Sequence, residues 1–372
     1  MKKIKVVHLL WVGGIGGTEQ STTTLIEYFS TSKYEIHLCF VSKKGEIYEE
    51  ARKKYSNVAF IGMRNGYDLL GALRLYRYLC RGNFDIIHMH NHNLLTNFVV
   101  SLVKKSKRIY HDGSSPGGTA GFYKTKKKLM YRLFSKSYTK ITANSKAIKQ
   151  YIIEDMRVDP KKVEVVHNGI NMNKFNFNKT EPVKDLMDIK KQNVEIIGFV
   201  GRLIDFKRPL LFIDIAKELL TKRNDFHFIM VGDGPEYENC KMRIRKYGLE
   251  NRFTLLGFRR DIPNILKTFD ALIFTSKGEG FGNVVPEALA MGVPVFAINS
   301  GVIPEFITDK HNGILLETEN PADSAEKILG VLNDKVLLKK ISKEAIADIR
   351  ERFSMENWAK KFDRIYNSVL EE

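Results

Sequence analysis

The segment Glu279-Gly-Phe-Gly-Asn-Val-Val-Pro-Glu287 sets two carboxylates on either side of a glycine-bearing loop. It follows the apolar run Ala271–Phe274, and Pro286 suits an early position in a helix. On a strand–loop–helix unit the backbone amides of Gly282, Asn283 and Val284 have no helical acceptor, so they can meet phosphate or sugar oxygens. Glu279 ahead of the loop and Glu287 inside the helix then address different parts of one extended ligand. A strand–turn–helix corner with solvated glutamates is the plain structural alternative. A second segment, Gly201-Arg-Leu-Ile-Asp-Phe-Lys207, directly follows the run Val194–Val200. There Arg202 and Lys207 sit at a strand's carboxyl end, where a guanidinium and an ammonium can offset the charge of a departing diphosphate. The turns Val231-Gly-Asp-Gly-Pro235 and Leu256-Gly-Phe-Arg-Arg260 add Gly232 and Phe258 to the same rim. An isolated Gly-x-Gly turn says little. Four such loops on one rim say more.

The amino-terminal half carries weaker signals. Gly13-Gly-Ile-Gly-Gly-Thr-Glu19 lies between a strand and a helix, and the small residues Gly16 and Gly17 let backbone amides approach a phosphate. It fails as a dinucleotide fingerprint, because Glu19 stands where a third glycine or alanine belongs. His88, His90 and His92 alternate at a strand end and so share one face, which raises a metal site. No carboxylate or cysteine joins them, so no metal is expected, and a polar surface shaping an acceptor site fits better. His111 falls at the next strand end, as a cleft residue or as a structural histidine closing the strand. No Asp-x-Asp pair occurs in the chain, in keeping with a leaving group stabilised by Arg, Lys and amides without a cofactor.

These residues need strands and helices in alternation, and the chain supplies them. Short β-branched runs (Ile4–Leu10, Ile36–Phe40, Val58–Ile61, Ile86–His90, Arg108–His111, Lys140–Ala143, Val163–His167) alternate with helical patterns such as Thr18–Phe29, Leu69–Leu79 and Leu94–Val103. The pattern lapses over 171–192, read as a linker, and a second α/β series then begins at Val194. Ligands of open parallel sheets bind beyond the carboxyl ends of the strands, so two such sheets face to face make a cleft where a donor and an acceptor meet. At 372 residues two domains are expected. The charge agrees with a division near residue 190: residues 1–190 hold 33 Lys and Arg against 16 Asp and Glu, the excess equals the whole net charge of +17, and the rest is neutral. The densest stretch, 104–149, has 13 basic residues and only Asp112 acidic, which suggests an anionic partner for this half.

Taken together, Gly201–Lys207, Val231–Pro235 and Glu279–Glu287 resemble the fourth family of retaining glycosyltransferases, of the group 1 type found in bacterial polysaccharide synthesis. Gly13–Glu19 and His167-Asn-Gly-Ile170 extend the likeness over nearly the whole chain. The resemblance implies a GT-B fold with two Rossmann-like α/β domains: an acceptor-binding domain over 1–183 plus a returning helix at 355–372, and a donor-binding domain over 190–354. It implies catalytic or diphosphate-holding roles for Arg202, Lys207, Glu279 and His111. Donor-binding roles fall to Gly16, Gly17, Gly232, Phe258, Gly282, Asn283, Val284 and Glu287, with Glu279 at the transferred sugar and Glu287 at the ribose. The implied reaction moves a hexosyl unit from a sugar nucleotide, a UDP-sugar favoured, to a hydroxyl of a glycan or lipid-linked acceptor with retention of configuration. Other enzymes on this fold, an epimerase or a phosphorylase, share the phosphate site.

The segment 121–136 mixes cations with large apolar residues, so it suits an anionic membrane interface as well as a basic solvated helix. A nucleic-acid-binding protein would also explain the basic half, but no recognisable module supports it and no nucleic-acid partner is expected. Three scattered cysteines fit neither a disulfide framework nor a zinc cluster, and the N-terminal apolar run is too short for a secretory core. The scattered cysteines make a reducing, cytoplasmic setting the expected one, peripheral on the membrane's inner face if the basic face binds lipid, and no stretch of eighteen uncharged apolar residues occurs to span a membrane.

Overall fold

The computed structural model describes residues 2–14, 17–90, 93–113 and 122–372. The contacts divide the chain into two compact units, Met1–Gly169 with Met355–Glu372, and Ile170–Ser354.

The first unit is a seven-stranded parallel sheet: β1 (Ile4–Val12), β2 (Tyr34–Lys43), β3 (Val58–Phe60), β4 (Ile86–Met89), β5 (Lys107–Asp112), β6 (Lys140–Ala143) and β7 (Val163–Val165), in the order β3-β2-β1-β4-β5-β6-β7. Alternation along β1 sends Val7 and Leu9 to one buried face and Val6 to the other. The helices Leu69–Gly82, Leu94–Leu102, Phe122–Phe134 and Lys146–Glu154 cover the Val7 face. Their starts are fixed by side chains that take the orphan amides of a first turn: Asp68 accepts from Gly71 N at 2.9 Å, Asn93 from Thr96 N at 3.0 Å and Ser145 from Ile148 N at 3.1 Å. On the other face the C-terminal helix Met355–Glu371 buries Trp358, Phe362, Ile365, Tyr366 and Val369, a spacing that aligns them on one side.

The second unit is a six-stranded parallel sheet of β8 (Glu195–Val200), β9 (Phe226–Val231), β10 (Phe253–Leu255), β11 (Ala271–Phe274), β12 (Val295–Ile298) and β13 (Ile314–Leu316), ordered β10-β9-β8-β11-β12-β13. The order reverses between β8 and β11, the point outside which ligands of such sheets bind. Apolar clusters line both faces.

The stretch 171–192 is not a free linker. It carries a 3-10 turn at Phe177–Lys179 and a helix at Lys184–Lys190, and it buries Phe175 and Leu186 in the second unit's core. The first unit's main segment therefore ends at Gly169, ahead of residue 183. The C-terminal tail is two helices, Lys335–Phe353 in the second unit and Met355–Glu371 in the first, parted at Ser354. No helix among the described residues is long and apolar enough to cross a membrane.

Candidate active site

The rim of the second sheet is built by loops that bond to one another. Gly201 N donates to Val231 O at 2.9 Å, Leu203 N to Asp233 O at 2.9 Å, and Gly232 N to Gly257 O at 2.8 Å, so the turns after β8, β9 and β10 are stitched in a row. Gly232 has φ +140°, and a Cβ there would lie 1.9 Å from Gly201 O, so only glycine permits this approach. Across the reversal, the Thr275 hydroxyl donates to Lys207 O and Arg208 O at 2.9 Å each, and Lys277 N donates to Phe206 O at 2.8 Å. These bonds fix the Lys207 loop to the end of β11.

Lys207 and Glu279 meet there as an ion pair, both side chains mostly shielded from solvent. The ammonium also lies 5.7 Å from the Phe274 ring and 5.8 Å from the Phe206 ring, partners that hold a cation while leaving its other donors available. Gly301, after β12, packs beside Glu279, and the Ser300 hydroxyl donates to Ser276 O at 3.0 Å. Gly282 turns at φ +67° into the short helix Val284–Ala290. Among the described residues the amides of Gly282, Asn283 and Val284 make no hydrogen bond, while Val285 N and Glu287 N return to Gly282 O and Asn283 O. Arg202 stands exposed at the end of β8 with no ion pair among the described residues. Phe258 is exposed on the turn after β10.

Glu287 is half-buried on the Val284–Ala290 helix. Burial raises its carboxyl to about 7, with the Lys174 ammonium pulling the other way. A carboxylate held at this cost without a bonded partner is a feature of functional sites.

The structure thus assembles Arg202, Lys207, Gly232, Phe258, Glu279, Gly282, Asn283, Val284 and Glu287 on elements of one unit. Gly17 and His111 belong to the other unit, and Gly16 and His92 lie outside the described residues. Gly17 opens the helix Gly17–Leu25, and His111 ends β5 with Nδ1 2.9 Å from Thr142 Oγ1. Sequence reasoning overlooked Lys174, whose charge acts on Glu287, and Arg208, whose guanidinium pairs with Glu319 at 2.9 Å from a left-handed backbone at φ +54°. The Thr-Ser and Ser-Gly pairs that follow β11 and β12 were the available signal for the stitched rim.

In the first unit His88 and His90 converge with His8 of β1, their nitrogens within 4.8 Å of one another. His8 Nδ1 lies 3.0 Å from His90 Nε2, and His88 Nδ1 lies 2.7 Å from the Tyr366 hydroxyl, which also stands 3.3 Å from His8 Nε2. Burial, reinforced by His111, drops His8 to about 3, and burial also holds His88 and His90 well below the usual imidazole range. The three offer neutral ligand nitrogens, but the hydrogen bonds mark them as a polar seam joining the sheet to the C-terminal helix.

Two parallel α/β units of Rossmann type, one with Lys207, Arg202 and unbonded amides on the rim at its topological reversal, define a GT-B architecture. Residues 15–174 match the model of glycosyltransferase family 4, and residues 187–348 match that of the group 1 glycosyl transferases. The chain belongs to the group 1 glycosyltransferases. It is 27% identical over 350 residues to the UDP-Gal:alpha-D-GlcNAc-diphosphoundecaprenol alpha-1,3-galactosyltransferase of Escherichia coli, covering 90% of this chain and 89% of that one. It is 25% identical over 346 residues to the N-acetylgalactosamine-N,N'-diacetylbacillosaminyl-diphospho-undecaprenol 4-alpha-N-acetylgalactosaminyltransferase of Campylobacter jejuni, covering 89% and 91%. Among solved structures, Anabaena HepE in complex with UDP and glucose superimposes with a TM-score of 0.83 at 22% identity over 98% of this chain and 100% of that one.

Proposed function

We propose that the chain transfers a hexosyl unit from a nucleoside-diphosphate sugar, a UDP-sugar favoured, to a hydroxyl of a lipid-linked or growing glycan, with retention of anomeric configuration. The observation that carries this reading is the buried Lys207–Glu279 pair on the stitched rim, beside the unbonded amides of Gly282, Asn283 and Val284. Lys207, Arg202 and the amides offset the negative charge that grows on the diphosphate as the glycosidic bond breaks. Glu279 holds Lys207 in place and meets hydroxyls of the transferred sugar. Glu287 accepts hydrogen bonds from the ribose hydroxyls, which favour its ionised form. Phe258 gives the base an apolar platform, and His111 is assigned to the reacting sugar and phosphate. Two features support the acceptor class: the relatives named above act on diphosphoundecaprenol-linked sugars, and the segment 104–149 is dense in cations suited to an anionic membrane surface. On this reading the enzyme works on the cytoplasmic side and needs no divalent metal, so a chelator leaves turnover unchanged.

Removing one preorganised electrostatic group of this kind lowers turnover on the order of 10²–10³-fold. Folded Lys207→Ala protein is expected to show that loss in kcat with a UDP-sugar donor. Near-normal turnover refutes the role of Lys207. The anomeric configuration of the product, read by NMR, decides retention, and thermal shifts against UDP-, GDP- and ADP-sugars decide the nucleotide.

A further inference from the structure

We propose that the outer face of three neighbouring helices of the first unit, Leu69–Gly82, Leu94–Leu102 and Phe122–Phe134, is a docking surface for an anionic phospholipid bilayer. The proposal rests on the membrane reading of segment 104–149 and extends it to an apolar face and to a helix outside that segment.

The three helices lie side by side, the second packed against both others, and their inner sides share one core through Leu75, Leu79, Val99, Val100, Met130 and Tyr131. Their outer sides are also apolar. Leu69, Leu73 and Tyr76 follow one another at helical spacing on the first, with Leu69 73% exposed. Phe98 and Leu102 repeat the pattern on the second, at 50% and 47% exposed, and Leu129 and Leu133 repeat it on the third. Nine of the thirteen large exposed apolar side chains of the described residues belong to this face or to Tyr67 just before it. The other four, Phe177, Met242, Phe258 and Val336, are scattered over the second unit. Single exposed apolar residues need no explanation, whereas a concentration of this kind marks an interaction surface.

Charge selects the occupant. Next to the apolar stripes stand Arg77 and Arg81 on the first helix and Lys128 and Arg132 on the third, all exposed and in no salt bridge among the described residues. Lys104 and Lys105 follow the second helix and are equally exposed. Asp112, the lone acid of 104–149, is fully buried against Lys127 at 2.8 Å and does not offset the outer charge. A second copy of this chain on the same face would set cations against cations at a self-complementary contact. Nucleic acid would leave the leucines in water. A bilayer interface with anionic headgroups takes both, the apolar side chains lying about 5–10 Å into the headgroup–acyl boundary and the cations meeting lipid phosphates.

The test uses the full chain in flotation with vesicles of phosphatidylglycerol and phosphatidylcholine, against phosphatidylcholine alone, at low and high salt. The wild type is expected to float with the anionic vesicles and to be partly released by salt. The triple variant Leu69→Ser, Leu73→Ser, Tyr76→Ser should lose partitioning on the order of 100-fold, from the apolar burial forgone. Its UDP-sugar binding should stay unchanged and its melting temperature should fall by only a few degrees, because none of the three side chains belongs to the buried core and serine is only a somewhat poorer helix former. Lys128→Glu with Arg132→Glu should abolish the salt-sensitive part. Wild-type protein that stays out of anionic vesicles sinks both this proposal and the membrane reading beneath it. A triple variant that floats as the wild type does, while the charge variant fails, sinks the apolar face and leaves segment 104–149 as the contact. A wild-type dimer that becomes monomeric in the triple variant makes the face a chain–chain interface and overturns the proposal.

Discussion

Glu287 titrates at about 7 because its surroundings penalise the charge, and that penalty is measurable in the donor-free protein. Its folded value lies above the ordinary value of 4.5, so the native state holds an extra proton between about pH 4.5 and pH 7. Stability in this window therefore falls as pH rises, and the full cost is present above pH 7. A rise of roughly 2.5 pKa units corresponds to about 3 kcal/mol, with water reaching a half-buried group lowering the figure toward about 1–2 kcal/mol. Glu287→Gln keeps the shape and removes the ionisation. At pH 5, where Glu287 is neutral, the variant and the parent should be about equally stable. At pH 8 the variant should be the more stable by about 1–3 kcal/mol, which for a unit of this size is a rise of roughly 3–10 °C in its melting temperature.

The assay is thermal or urea unfolding of donor-free protein at several pH values, following the second unit's transition separately, since two units need not unfold in one step. Function should move the opposite way. If Glu287 holds ribose hydroxyls, the Glu287→Gln protein binds UDP-sugar more weakly even where it is more stable. Parallel stability profiles for variant and parent from pH 5 to pH 8 would refute the buried-carboxylate reasoning. A stabilised variant with undiminished UDP-sugar affinity would instead refute the ribose assignment alone.

Other outcomes follow from the same reasoning. His8, near 3 when folded and about 6.5 when unfolded, binds its proton only in the unfolded chain between those values. Stability should thus fall as pH drops below about 6.5, by roughly 1.4 kcal/mol per pH unit for His8 alone and more with His88 and His90; a flat urea midpoint between pH 7 and pH 5 counts against the neutral seam. Lys127→Met removes an ammonium 2.8 Å from the fully buried Asp112, which the Tyr131 hydroxyl also meets at 2.6 Å, and should cost about 3–5 kcal/mol of unfolding free energy, partly restored by adding Asp112→Asn. Gly232→Ala drives a Cβ into Gly201 O and should abolish the thermal shift produced by UDP-sugar, so a normal shift argues against the stitched rim.

What could be read from the sequence had a common physical basis. The strands at Lys140–Ala143, Phe226–Val231 and Ala271–Phe274 have the expected bounds because an apolar run there is cut off by polar or turn residues on each side. The strand expected at Ile36–Phe40 runs from Tyr34 to Lys43, since the ladder with β1 continues after the apolar pattern stops. The helix Glu46–Lys54 escaped notice because it buries only Ile47, Tyr48 and Ala51, too few for a periodic signal. Composition misled at 171–192, where two apolar anchors amid polar residues sufficed to pack the segment. In the site, Lys207 and Glu279 were legible because each lies in a loop directly after a strand, so local geometry carried them to one rim. The electrostatic influence of Lys174 on Glu287 and the joining of His8 to His88 and His90 were not, because they depend on tertiary placement. His8 stands opposite His88 only through the register of β1 on β4, and Tyr366 reaches them from the far end of the chain.

The electrostatics of the rim say what it awaits. Lys207 is already answered by Glu279, so the pair can turn toward an incoming ligand without first stripping a buried charge bare. Arg202 stands open, three consecutive residues offer unbonded amides, and Glu287 holds a costly carboxyl with only Lys174 easing it. A bare phosphate would satisfy the cations and amides but leave Glu287 unrelieved, and would add a further negative charge near it. A neutral sugar would relieve Glu287 through its hydroxyls but leave the amides and Arg202 unmet. The proposed donor, a diphosphate carrying hydroxylated groups on both sides, would answer all of them. Inorganic pyrophosphate should accordingly bind far more weakly than UDP, and the difference should shrink in Glu287→Gln protein; equal affinities in the parent enzyme would contradict the division of labour between Lys207 and Glu287.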